Sequence, residues 1–190
     1  SALSCGRWHR HLYDGPRPSS LGHGDLDDLA VGQLGLEGVA ILSFNPYGLG
    51  VDANTALEVE KVASQVMTTV KAIAAAAEGA GADVVDAATQ AFSSIVTVVH
   101  AKAAARTSFD LSNAADLASV EMQANNNLAS ASGIDSRAFN TTLAMAMDSV
   151  EVVNTAIKNI TDTDLNSTST KAVFQVADYV KVQIKSAASA

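Results

Sequence analysis

Beyond residue 52, apolar side chains return at three- and four-residue steps along nearly the whole chain. Val59, Val62, Val66, Val70, Ile73 and Ala77 share one face, which predicts a first helix over about 54–78. Asp52 or Asn54 can accept from its open amides, and Gly79 and Gly81 end it. A second helix over about 83–106 has Asp83 as its cap and a stripe of Val85, Ala88, Phe92, Ile95, Val99 and Ala103. Lys102 and Arg106 stand in its last turns, where a cation suits the helix dipole.

The third segment, about 112–131, has the thinnest stripe: Ala115, Ala118, Met122 and Ala129. Asn125, Asn126 and Asn127 predict a break there, because asparagine competes for backbone hydrogen bonds. A fourth helix over about 136–160, capped by Asp135, aligns Phe139, Leu143, Ala146, Val150, Val153, Ile157 and Ile160. A fifth over about 169–187 turns Val173, Phe174, Ala177, Val180 and Ile184 inward. No useful stretch alternates with the two-residue period of a strand. Short links between long helices favour antiparallel neighbours. The expected fold class is therefore all-α, an up-and-down bundle of four to five amphipathic helices. The principal core residues are Val62, Val66, Ile73, Phe92, Ile95, Val99, Leu143, Val150, Val153, Ile157, Phe174 and Val180.

Composition divides the chain. Of its 12 glycines, nine fall in residues 1–50, together with every proline and the single Trp and Cys. Those residue types break regular structure, so residues 1–33 read as an irregular or disordered leader and 34–190 as the helical bundle domain. Between them, Asn45-Pro46-Tyr47-Gly48 predicts a turn, with Phe44 and Leu49 as apolar anchors over one bundle end.

The formal charge is −8, and the sequence contains no Lys/Arg cluster. That balance opposes a nucleic-acid partner, whose affinity rests on phosphate contacts, and docking on anionic lipid. The longest uncharged apolar stretch, 87–101, is short and carries several hydroxyls, which argues against membrane insertion. One cysteine permits no internal disulfide and leaves the compartment open.

Candidate chemistry is sparse. Cys5, His9, His11 and His23 fit no compact zinc spacing. His100 has no cysteine within the helical part, and no nucleophile elbow surrounds Ser93 or Ser94. Glu58, Glu60, Asp86, Glu121, Asp148 and Glu151 form no E-x-x-H pair of the di-iron kind. Asp162, Asp164 and Asn166 place oxygens as the start of a calcium loop does. The pattern then fails at Ser167, where glycine is needed, and at Val173, where glutamate is needed. A polar interhelical loop that caps the fifth helix is the stronger reading, and a weak calcium site the other. The sequence thus assigns no catalytic residue, no cofactor and no metal, and the chain is expected not to be an enzyme.

One stretch has a resemblance. Leu34-Gly35-Leu36, then Leu42-Ser43-Phe44-Asn45-Pro46-Tyr47, then the run from Asp52 through Ala56-Leu57, Lys61, Ala63 and Gln65-Val66 resembles an alanine-rich helical module. Such modules occur in very large bacterial secreted or surface proteins that also carry cadherin-like, Ig-like or RTX calcium-binding repeats. The resemblance covers about 34–188 and carries no catalytic residue. It implies a non-catalytic structural or interaction module of an adhesin-like protein at the cell surface or outside the cell. Its partners would be other domains of the same protein or a protein partner. The alternative is a helical binding module for a partner helix or a small apolar ligand. The pattern departs where such modules carry Leu-Thr-Thr-Leu; here the chain reads Leu26-Asp27-Asp28-Leu29. Codons for Leu26 to Leu29, read one base later, can spell Leu-Thr-Thr-Leu, so residues 1 to about 30 stand as either native leader or frame-shifted translation.

Overall fold

The computed structural model describes residues 32–36, 39, 44–129, 133–176 and 184. The leader's Cys5, His9, His11 and His23, the Leu42 position, and the inward positions Ala177 and Val180 lie outside them. Four long helices are present: α1 (Ala53–Gly79), α2 (Val84–Ala104), α3 (Ala114–Leu128) and α4 (Ser136–Lys158). Residues 168–176 are helical as well, as is Ile184. No strand occurs among the described residues. The chain is an all-α bundle in which α1 packs on α4 and α2, while α3 closes the ring between α2 and α4.

Each helix starts where an Asx side chain replaces the missing backbone acceptor. Asp52 Oδ1 accepts from Thr55 N at 2.8 Å and from the Thr55 hydroxyl at 2.9 Å. Asp83 Oδ1 accepts from Val85 N and Asp86 N. Asn113 Oδ1 serves Ala115 N and Asp116 N, and Asp135 Oδ1 serves Arg137 N and Ala138 N. At the opposite end of α1 the chain turns through Gly81 at φ +107°, and Asp135 N donates to Ala80 O at 2.9 Å. A Cβ on Gly81 would come 2.6 Å from Gly133 O, so the two links can approach this closely only with glycine at 81.

The core is built of small residues. Ala72, Ile73, Ala74, Ala75, Ala76 and Ala77 of α1 are all buried, against Ala87, Ala91, Ile95, Val98 and Val99 of α2. Leu117, Val120, Ala124 and Leu128 of α3 and Phe139, Leu143, Ala146 and Val150 of α4 complete it, with Ile184. A smaller cluster at the other end joins Ala56, Leu57, Ile160 and Leu165, with Val51, Val173 and Phe174 packed on it. Leu36 is buried and Leu34 packs on the main core, so the Leu-Gly-Leu segment does associate with the helices.

The α4 face is buried as its periodicity predicts. The other helices need corrections. Val85, Ala88 and Phe92 were expected inward, yet Val85 is 71% and Phe92 52% exposed, and Ala88 is exposed too. Ala87 and Ala91 take the inward positions, because the alanine run of α1 admits only small partners there. In α3, Ala115, Ala118 and Met122 face out, and Leu117, Val120, Ala124 and Leu128 face in. That helix also runs through the asparagines: Asn127 Nδ2 donates to Ser94 Oγ at 3.0 Å and its Oδ1 accepts from Gln123. In the first half of α1, Val59, Val62 and Val66 are only half-buried, while Leu57, Lys61, Gln65 and Thr68 lie inside. Asn45 forms the expected turn, its Oδ1 accepting from Tyr47 N, but Leu49 is fully exposed and anchors nothing.

By length and composition α2 is apolar enough to cross a membrane, the one such helix among the described residues. Here its Ala87–Ala91–Ile95–Val99 arc packs within the bundle. The burial of Val153 on the inner face of α4 gives a direct check of the packing. Val153→Asp, which places an unpaired charge there, is expected to destabilise by about 3–5 kcal/mol. Thermal melting of the variant beside the parent chain measures this; an unchanged midpoint would reject the face assignment.

Candidate functional site

A depression lies at the α1 N-terminal half, where long polar side chains replace alanine. Glu58, Lys61, Val62 and Gln65 of α1 form its floor, the connection 108–111 and Lys158 one wall, and the turn at Gln33 and Leu34 the other. Its volume is about 300 Å³.

The wall is a strap between α2 and α3. It leaves α2 through Arg106 at φ +54° and sends Phe109 and Leu111 into the core. Polar bonds then fasten each of its turns. Phe109 N donates to Gln33 O at 3.2 Å. Asp110 N donates to the buried Asp116 carboxylate at 2.8 Å, which also meets Lys102 Nζ at 2.5 Å. Asp110 Oδ1 accepts from Ser112, and Asp110 Oδ2 meets Lys158 Nζ at 2.5 Å. The Leu111 carbonyl accepts from Asn154 Nδ2 at 2.8 Å.

Beneath the cleft, Asn154 is fully buried. Its Nδ2 also reaches Thr69 Oγ1, and its main-chain carbonyl accepts from Gln65 Nε2 at 3.0 Å. The charges along the cleft come in pairs, Lys61 with Glu58 at 2.9 Å and Lys158 with Asp110. Burial pushes the Asp110 carboxyl up, but the Lys158 and Ser112 hydrogen bonds and the Lys158 charge together hold it below the usual carboxylate range.

The residues singled out by sequence lie apart from this cleft. His100 and Ser93 are exposed on α2, and Ser94 is buried with its hydroxyl donating to Gln90 O. In the 162–166 loop, Asp162 Oδ1 accepts from Asp164 N and Asp164 Oδ1 from Asn166 N. Ser167 caps the helix at 168–176 through Thr170 N, and Leu165 is buried in the smaller cluster. The loop's oxygens thus serve the loop itself, and hydrogen bonds from the Ser167 side chain and the Asp164 amide hold the Asp162 carboxyl below its usual range. Among the described residues no three His, Cys, Asp or Glu side chains gather in a metal-holding group. Burial and then the charge of Asp148 raise the Glu121 carboxyl.

The cleft is not legible in the sequence, because Lys61, Gln65 and Asn154 are polar residues of a kind that usually faces solvent on an amphipathic helix. The available signal was their phase, since Asn154 shares the inward face of Val150, Val153 and Ile157. No family model matches the chain, and no curated protein or solved structure is significantly similar to it.

The strap supplies an acid limb to stability. Because the folded Asp110 carboxyl lies below its ordinary value, its contribution is present above that value and is lost as pH falls through the folded one. Chemical denaturation at about pH 6 and about pH 3 is expected to show a smaller drop for Asp110→Asn than for the parent chain. An equal drop would remove Asp110 from the acid limb.

Proposed function

We propose that this chain is a non-catalytic structural or interaction module of a large extracellular bacterial adhesin-like protein. The observation that carries the reading is how the polar groups around the strap are used. Asp110, Asp116, Lys102, Lys158 and Asn154 are each bonded to another element of the bundle, so they brace the strap. The resemblance of the segment from Leu34 to Val66 to alanine-rich helical modules supports the same reading. The work of such a module lies in its fold and surface. The nucleotide sequence on either side of the coding region tests it. Flanking cadherin-like, Ig-like or RTX repeats in the same reading frame are expected; a short gene standing alone would overturn the proposal.

A second reading, a module that receives a partner helix, is favoured by the outward face of α2. Val85, Ala88 and Phe92 follow helical spacing on an exposed arc, with the small Ala88 allowing close approach. The occupant would be an amphipathic helix presenting its apolar stripe. Phe92→Asp should then abolish capture of such a helix without lowering the melting temperature, since Phe92 lies outside the core. A loss of fold stability of several kcal/mol would instead show that the bundle itself uses this face.

A further inference from the structure

Between Asp86 and Lys102, α2 carries no Asp, Glu, Lys or Arg. Residues 87–101 span about 22 Å of helix. Their outer face sets Ala88, Phe92, Val96 and His100 at four-residue steps. Ala88, Phe92 and His100 are exposed and Val96 is half-buried. Val85, exposed as well, precedes Phe92 by two helical turns on the same face. Elsewhere an exposed apolar side chain has a charge beside it on its own face. Lys71 follows Met67 by four residues, and Asp148 lies three after Met145 and four before Val152.

Charge bounds the α2 face at both ends, and the two ends differ in sign. Asp83 and Asp86 stand exposed at its start, and Arg106 stands exposed just past its end. Lys102 is already paired with Asp116, whereas neither Asp86 nor Arg106 has an ion-pair partner among the described residues.

This pattern makes the face its own complement. The chain carries −8, so two copies repel wherever carboxylates would meet. Along 87–101 there are none to meet. Laid antiparallel, the acidic start of each α2 faces the basic end of the other, and the helix dipoles run in opposite senses. A parallel pair would set like charges together. With Asp86 level with Arg106, the two-fold axis passes beside Val96. Phe92 then comes level with His100 of the other copy, and Ala88 with Ala104, whose small side chains let the backbones approach.

We infer that the outer face of α2 is a self-association surface, on which α2 of a second copy lies antiparallel. The inference rests on the second reading above, in which this face receives a helix, and it names that helix. One helix face offers fewer than the roughly 20–30 residues a side of a standard interface, so the dimer dissociates on dilution.

Sedimentation velocity of the full chain from about 1 µM to about 1 mM, the range in which weak complexes dissociate, tests this. A monomer is expected at the low end and a dimer at the high end. Phe92→Asp is expected to stay monomeric throughout, with an unchanged melting temperature. Asp86→Arg and Arg106→Asp are each expected to weaken the dimer about threefold or more, the scale of exposed charge pairs counted twice by the symmetry. The double variant, with the two charges exchanged, is expected to restore it. Aspartate is tolerated at the φ of +54° that residue 106 adopts. A parent chain that stays monomeric at every concentration overturns the inference. If an added amphipathic helix still binds that monomer through Phe92, the second reading survives without it. A dimer that Phe92→Asp leaves intact, or that the charge exchange fails to restore, overturns it as well. A Phe92→Asp chain that melts far below the parent overturns both readings, because the bundle itself then uses this face.

Discussion

Residues 72–77 of α1 are one isoleucine and five alanines, and all six are buried. Six consecutive helical residues face every direction around the axis, so this half of α1 must be covered on all sides. Alanine buries little area by itself, and the neighbours have to come close to gain enough. α2 meets the run with Ala87 and Ala91, and Ile184 joins the same core. Close approach then dictates the link between helices: Gly81 passes Gly133 at a separation that no Cβ allows. The same constraint sends Val85 and Phe92 outward, because the space beside the alanine run is already taken.

This constraint explains which parts of the fold could be read from the sequence. Helix starts were legible, since Asp52, Asp83 and Asp135 cap in a way that depends only on local geometry. The α4 face was legible because Phe139, Leu143, Val150 and Ile157 are large and their stripe has one phase. In α2 and α3 apolar residues occupy several phases at once, and size decided the outcome. Small residues went to the tight contact in α2, whereas in α3 Leu117 and Leu128 displaced Ala115 and Ala118 from the core. Periodicity records which positions are apolar; it does not record how near the next helix stands.

The polar interior was illegible for a different reason. Asp116 is buried because Lys102 and the Asp110 amide reach it, and both lie on other elements. Asn127 stays helical because Ser94 of α2 accepts its amide. A buried polar group is costly unless its partners are in place. Those partners are brought by the tertiary fold, so a lone Asp or Asn in a stripe looks like an interruption until the neighbouring helix is known.

The two ends of α1 therefore do different things. Where the helix is alanine, neighbouring helices close on it and its surface is sealed. Where it carries Lys61, Gln65, Thr68 and Thr69, the side chains are long or need partners, and α4 answers with Asn154 instead of another aliphatic residue. Long side chains hold the neighbours further off, and the strap that would fill the gap is itself tied outward, to Asp116 below and Lys158 beside it. A cleft is the geometric remainder of that arrangement. Its place follows from a change of side-chain size along one helix, and its neutrality follows from the pairing of each lysine with a carboxylate. Of the two pairs, Lys158–Asp110 also fastens the strap, whereas Lys61–Glu58 lies within α1.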